Sequence, residues 1–174
     1  MFQQHQQQTK IKSFTPRMEK HGDENVLAGT MKCETTMHSS ILDVFDKGLR
    51  KLLYRKPAPG EQSELPLGDT SDGLTAKKLP CLAPLKWDED FPGYAVEIES
   101  GLALDETLKL KDVEVHGFQF EPLDGGSVTV SYTLNFRMDG RTSGKLCQLI
   151  QDTVALSLTP PSTEAKQEQR DLAA

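Results

Sequence analysis

The residues most able to do chemistry are scattered along this chain. The four histidines, His5, His21, His38 and His116, have no second His or Cys at a metal-ligand spacing. Cys33, Cys81 and Cys147 are far apart and odd in number, which fits free thiols in a reducing compartment better than a disulfide framework. His21 lies beside Asp23 and Glu24, but the run His21-Gly22-Asp23-Glu24-Asn25 has the composition of a solvated turn. Asp88, Glu89 and Asp90 form an acidic run. General acid–base work needs two carboxyls in distinct environments, one of them desolvated, and three consecutive acids at a corner point to solvent instead. No spaced Asp/Asn/Gly ladder suggests calcium, and no Gly-x-Ser-x-Gly elbow suggests a serine nucleophile. Asp124-Gly125-Gly126-Ser127 is glycine-rich but falls between two strand patterns, whereas a phosphate cradle needs a helix N-terminus after the glycines. These patterns imply no cofactor, no metal and no enzymatic activity.

Charge offers a different chemistry. Residues 1–56 hold ten Lys/Arg against six acids, a balance of +4, which leaves −10 for the remainder of a chain whose net charge is −6. Lys47, Lys51 and Arg55 recur at i, i+4 and i+8, with Arg50 and Lys56 nearby, so a helix here would carry a basic stripe. Cations at a helix C-terminus also complement the helix dipole, for about 0.3–1 kcal/mol each, and such a stripe is commonly just a wet face. The stripe nevertheless defines a candidate contact for DNA or an acidic partner through Lys47, Arg50, Lys51, Arg55 and Lys56. The alternative is an acidic surface at Asp88, Glu89 and Asp90.

The elements that must position these residues are mostly strands. Val128, Val130, Tyr132, Leu134, Phe136 and Met138 alternate with Ser127, Thr129, Ser131, Thr133, Asn135 and Arg137. This is the period of a strand with one apolar and one polar face. Tyr94, Val96 and Ile98 alternate likewise, as do Val154, Leu156 and Leu158. Leu108 to Leu123 changes parity twice, which predicts bulges near Lys111-Asp112 and His116-Gly117. Leu123-Asp124-Gly125-Gly126 predicts a hairpin turn. Residues 10–37 read as an N-terminal hairpin in which Pro16 marks either an edge strand or a break, and 74–85 as a further extended edge. Ser40 with Asp43 has the spacing of a capping box, and Ile41, Leu42, Phe45, Leu49, Leu52 and Leu53 continue a helical stripe. Thr142 or Ser143 could cap a second, short helix that turns Leu146, Leu149 and Ile150 inward.

The expected fold is mainly β: an antiparallel sandwich or open barrel of about seven strands, with an amphipathic helix at about 40–54 and a short helix at about 142–150. The expected organisation is a disordered lead over 1–9, a single domain over 10–161 with a mobile loop at 57–73, and a disordered tail over 162–174. No apolar run approaches the ~20 residues of a membrane span. Exposed strand edges would let two chains pair as a homodimer.

Three pieces of the chain carry a resemblance: Glu19-Lys20-His21-Gly22-Asp23-Glu24, Leu49-Arg50-Lys51-Leu52-Leu53-Tyr54, and Gly125-Gly126-Ser127-Val128 together with Leu156-Ser157-Leu158-Thr159-Pro160-Pro161. Over most of residues 10–161 the chain resembles a group of proteins encoded by tailed bacteriophages and prophages. These motifs are turns and strand ends, so no catalytic residue is carried over. The resemblance implies a phage product made in the bacterial cytoplasm, from early genes that manage DNA or host defences. The resulting expectation is a non-enzymatic binding protein, accessory to phage DNA metabolism through its basic helix. The alternative is an inhibitor of a host defence or nucleic-acid-handling protein that binds through its acidic surface.

Overall fold

Strict inward–outward alternation on long strands dominates the structure, a computed structural model that describes residues 1–59, 61, 73–99 and 107–161, apart from the His21 side chain. Nine strands are present among these residues: β1 (Gln4–His21), β2 (Glu24–His38), β3 (Tyr54–Arg55), β4 (Ala76–Lys77), β5 (Leu85–Trp87), β6 (Phe91–Glu99), β7 (Leu108–Pro122), β8 (Ser127–Arg137) and β9 (Thr153–Thr159). The large sheet runs β5-β7-β6-β9-β1-β2-β8, every pairing is antiparallel, and β7 also pairs with β8. That last pairing closes six strands into a barrel, with β5 added on the flank of β7 beyond the end of β6. The expected β-rich antiparallel fold is present, but as a closed barrel rather than a sandwich or an open one.

Bulges make the closure. Asp112 takes φ 54° and Gly117 φ 64°, at the two places where β7 changes parity. The registers shift between Tyr94 and Val96 on one flank of β7 and between His116 and Gln119 on the other. Each bulge returns the apolar side chains to the lumen and adds twist, which curls the long strand around the barrel. Leu108, Leu110, Val113, Val115, Phe118 and Phe120 are all buried as a result. The β7–β8 turn forms as expected, with Leu123 N donating to Ser127 O at 2.9 Å.

The Gln-rich lead differs from its expectation of disorder. β1 begins at Gln4 and pairs with β9 through Gln4↔Leu158 and Gln7↔Leu156. Phe2 is fully buried, packing on Phe118, Tyr132 and Phe45 at centroid separations of 5.3, 5.6 and 5.7 Å. Tyr94 Oη donates to the Phe2 carbonyl at 2.7 Å. Inside the lumen, Gln4 Nε2 donates to Tyr132 Oη at 2.9 Å and to Thr9 Oγ1 at 3.3 Å, while the buried Gln4 Oε1 has no hydrogen-bond partner among the described residues. At the other end of β1, the flank beyond Lys10 has no strand partner among the described residues, and Pro16 sits on it, as an edge proline should.

The helical expectations need four corrections. The single helix over 40–54 is instead a 3₁₀ turn (Ser39–Ile41), α1 (Leu42–Phe45) and α2 (Leu49–Leu53). Its first cap is His38, whose Nδ1 accepts from Ser40 N at 3.2 Å, rather than Ser40. The second helix, α3 (Gly140–Gln148), is capped by Asp139, whose Oδ1 accepts from Thr142 N at 2.7 Å. Leu146 and Leu149 face inward there, but Ile150 is exposed. The extended edge expected over 74–85 is a turn at Pro80–Cys81 between two short strands, with Leu79 and Leu82 exposed. Most of the loop at 57–73, and the whole tail over 162–174, lie outside the described residues.

Candidate functional site

The basic segment folds as a small module laid over the β7–β8 turn. Asp46 Oδ1 accepts from Gly48 N at 2.7 Å, an Asx turn that ends α1 and starts α2 in a new phase. The residues of the expected stripe therefore part company. Arg50 points inward and is 8% exposed, with its Nε donating to Ser39 Oγ at 3.0 Å. Arg55 is not helical at all; it lies in β3, which pairs with β4 through Tyr54↔Lys77 and Arg55↔Ala76. Its guanidinium makes a two-pronged contact with Glu61, both N···O distances being 2.7 Å, and this pair holds the Glu61 carboxyl down at about 2. Arg50 is thus withdrawn from the surface, and Arg55 stays part-exposed but engaged by Glu61.

The module is fastened to the barrel by polar contacts. Tyr54 is fully buried, donates through its hydroxyl to Ser127 O, and accepts from Leu123 N at 3.2 Å. Burial pushes this phenol up to about 12. Thr75 O accepts from Gly125 N at 3.0 Å and Gly126 N at 3.2 Å, so the glycine turn read from sequence serves as an anchor for the module. Lys77 pairs with Asp124 at 3.2 Å.

Lys47, Lys51 and Lys56 remain on the surface, joined by Lys78, which sequence reading passed over. Lys78 N donates to Leu53 O at 2.9 Å and Lys78 Nζ donates to Lys51 O, so β4 delivers Lys78 to the end of α2. Among the described residues these four lysines make no ion pair. Beside them Leu52 is 60% exposed, Leu79 52% and Leu82 37%. Leu82 N donates to Leu79 O at 3.1 Å, which keeps the last two together in one turn. The only sequence hint of these exposed leucines is that Leu79 and Leu82 flank Pro80, with Pro84 close behind, in a stretch too proline-rich for a long strand.

The acidic alternative lies elsewhere, on the β5–β6 connection. Asp88, Glu89 and Asp90 are all exposed, and Trp87 Nε1 donates to Glu89 Oε2 at 3.0 Å. A third polar region lines the outer wall. Arg17 donates to Thr30 Oγ1, Thr30 Oγ1 donates to Asn135 Oδ1 at 2.8 Å, and Asn135 Nδ2 donates to Glu114 Oε2 at 3.1 Å and meets His116 Nε2 at 2.9 Å. Sequence reading missed this chain because its members come from four strands and meet only through register. It borders a groove of about 250 Å³ that holds Arg17, Lys111 and Arg137 but also Glu19, Asp112 and Glu114, so the charges there balance.

Among the described residues no three His, Cys, Asp or Glu side chains gather closely enough to hold a metal ion, and no helix is long and apolar enough to cross a membrane. No protein-family model, curated protein or solved structure matches the chain.

Proposed function

We propose that this protein is a non-enzymatic recognition module that takes a negatively charged macromolecular partner on the surface formed by Lys47, Lys51, Lys56 and Lys78. In the phage setting that its sequence resemblance implies, the module serves as a cytoplasmic accessory in DNA metabolism. The observation that carries this reading is four exposed lysines without ion-pair partners among the described residues, grouped on one module of a chain whose net charge is −6. Other surface lysines are divided: Lys12 pairs with Glu34 at 3.0 Å and Lys109 with Glu97 at 2.8 Å, whereas Lys20, Lys32, Lys86 and Lys111 are exposed without an ion pair among the described residues but are spread over separate strands. Leaving several like charges together and unneutralised raises the local potential and speeds encounter with an oppositely charged surface.

The runner-up reading, inhibition of a host protein through Asp88, Glu89 and Asp90, rests on three exposed acids of which one is engaged by Trp87. The two readings separate in one comparison. The wild-type protein, a Lys47→Glu/Lys51→Glu variant and an Asp88→Lys/Glu89→Lys/Asp90→Lys variant are each purified from the bacterial host and analysed by native mass spectrometry. A retained partner should vanish from the lysine variant and persist on the acid variant. The reverse pattern refutes the basic-surface reading, and so does a partner kept equally by both.

A further inference from the structure

We infer that the partner of this basic surface is a protein segment that combines acidic residues with apolar side chains, rather than a nucleic acid; the inference rests on the reading above and narrows it. The lysines share their module with exposed leucines. Leu52, Leu79 and Leu82 are three of the seven large hydrophobic residues exposed among the described residues, and Val44 on α1 is a fourth on the same segment. Lys51 adjoins Leu52 in α2, Lys78 adjoins Leu79 at the end of β4, and the Lys78 Nζ to Lys51 O bond ties the two pairs together. Exposed leucines and exposed lysines are thus brought to neighbouring positions on a firm base, since Tyr54 and Thr75 fix the module to the β7–β8 turn.

Charge complementarity demands acids opposite the lysines, and the leucines decide what accompanies them. A nucleic acid would neutralise the lysines but offer little to cover three aliphatic side chains. Surfaces for single strands add aromatic rings on which bases stack, worth about 1–3 kcal/mol per base. No Phe, Tyr or Trp is among the exposed large hydrophobics here. For duplex DNA, four lysines give a salt slope of only about −3.6, against 6–10 phosphate contacts in a typical strong binder. The arginines suited to paired contact with phosphate are withdrawn, Arg50 into the interior and Arg55 onto Glu61. A peptide segment with Leu-like anchors and flanking Asp or Glu satisfies both: its apolar side chains are removed from water against the leucines, and its carboxylates meet exposed ammonium groups. The outer-wall groove offers no such pairing, because its three cations already face three acids.

The test selects a library of random peptides on the full-length protein. Enriched peptides and a short DNA duplex are then titrated against wild type, Leu52→Ser/Leu79→Ser and Lys51→Glu/Lys78→Glu. All four positions are exposed, apart from the Lys78 ammonium contact to Lys51 O, and circular dichroism checks that each variant is folded. Enriched sequences should join Asp or Glu to Leu, Ile, Met or Phe. Either variant should weaken a selected peptide by about tenfold or more, the scale of one lost buried leucine contact or more. Failure to enrich any sequence, enrichment without acids, or peptides indifferent to the leucine variant overturns the inference. If the duplex binds more tightly than any peptide and loses affinity only in the lysine variant, the basic-surface reading stands and the protein-segment partner falls. If neither probe responds to the lysine variant, both fall.

Discussion

Phe2 provides a sharp measure of how far this fold depends on the first residues of the chain. A low-complexity glutamine lead would ordinarily tolerate any substitution, yet Phe2 is fully buried between Phe118, Tyr132 and Phe45. Burying a Phe side chain contributes about 1.5–3 kcal/mol by transfer alone. Truncation to Ala also leaves a cavity and removes three ring contacts, so Phe→Ala in a core costs about 3–5 kcal/mol. The lower end applies here, because a residue two places ahead of β1 can relax more than one in mid-strand, although Tyr94 Oη holds its carbonyl. A loss of about 3 kcal/mol in a chain of this size lowers Tm by about 6–12 °C. Gln3→Ala, at an exposed neighbour, should stay within about 0.5 kcal/mol of wild type. Urea and thermal melts followed by near-ultraviolet circular dichroism and by Trp87 fluorescence compare the two. Phe2→Ala melting together with Gln3→Ala would show that the lead does not plug the barrel and that the aromatic cluster at this end is wrongly assembled.

Two further outcomes follow from burial. Cys33 is 1% exposed and its thiol is pushed up by burial, whereas Cys81 and Cys147 are exposed; a native-state reaction with a disulfide reagent should therefore modify two thiols quickly and the third only on unfolding, and three equal rates would mean that the inward face of β2 is not sealed. All three tyrosines are buried, which pushes Tyr54 and Tyr94 up to about 12 and Tyr132 well above its ordinary value. In the unfolded chain they ionise near pH 10, so above that pH the unfolded state has released protons that the native state retains, and stability falls as pH rises from about 10 toward about 12. Ultraviolet absorbance should show almost no tyrosinate in the native protein at about pH 10.5 and abundant tyrosinate in urea; substantial native ionisation there would contradict the burial.

The sequence reached much of this architecture by local rules. A strand's side chains must alternate, so Val128 to Phe136 declared its inward face, and the parity changes in β7 required bulges at the two places where Asp112 and Gly117 take positive φ. Pro16 marked an edge or a break, because a residue without an N–H cannot serve a central ladder. The candidate site was legible only in part. Lys47, Lys51 and Lys56 stand out as charges, but the helix expected over about 40–54 breaks at Asp46-Lys47-Gly48. There the Asp46 side chain competes for the Gly48 N–H and resets the phase, turning Arg50 inward.

Three things were decided only in three dimensions. Barrel closure depends on β7 finding partners on both flanks, a long-range event that alternation along one strand does not encode. The ordering of Phe2 and Gln4 depends on a lumen built by β6, β7 and β8, which gives an otherwise featureless lead somewhere to bury its one ring. The joining of Lys78, Leu79 and Leu82 to Lys51 and Leu52 depends on a two-residue pairing between β3 and β4, too short to leave a periodic signal. Local periodicity records which way a side chain points, because that is a property of the backbone it sits on. Which distant side chain it meets is set by closure and register, and those are settled by the free energy of the whole packed core.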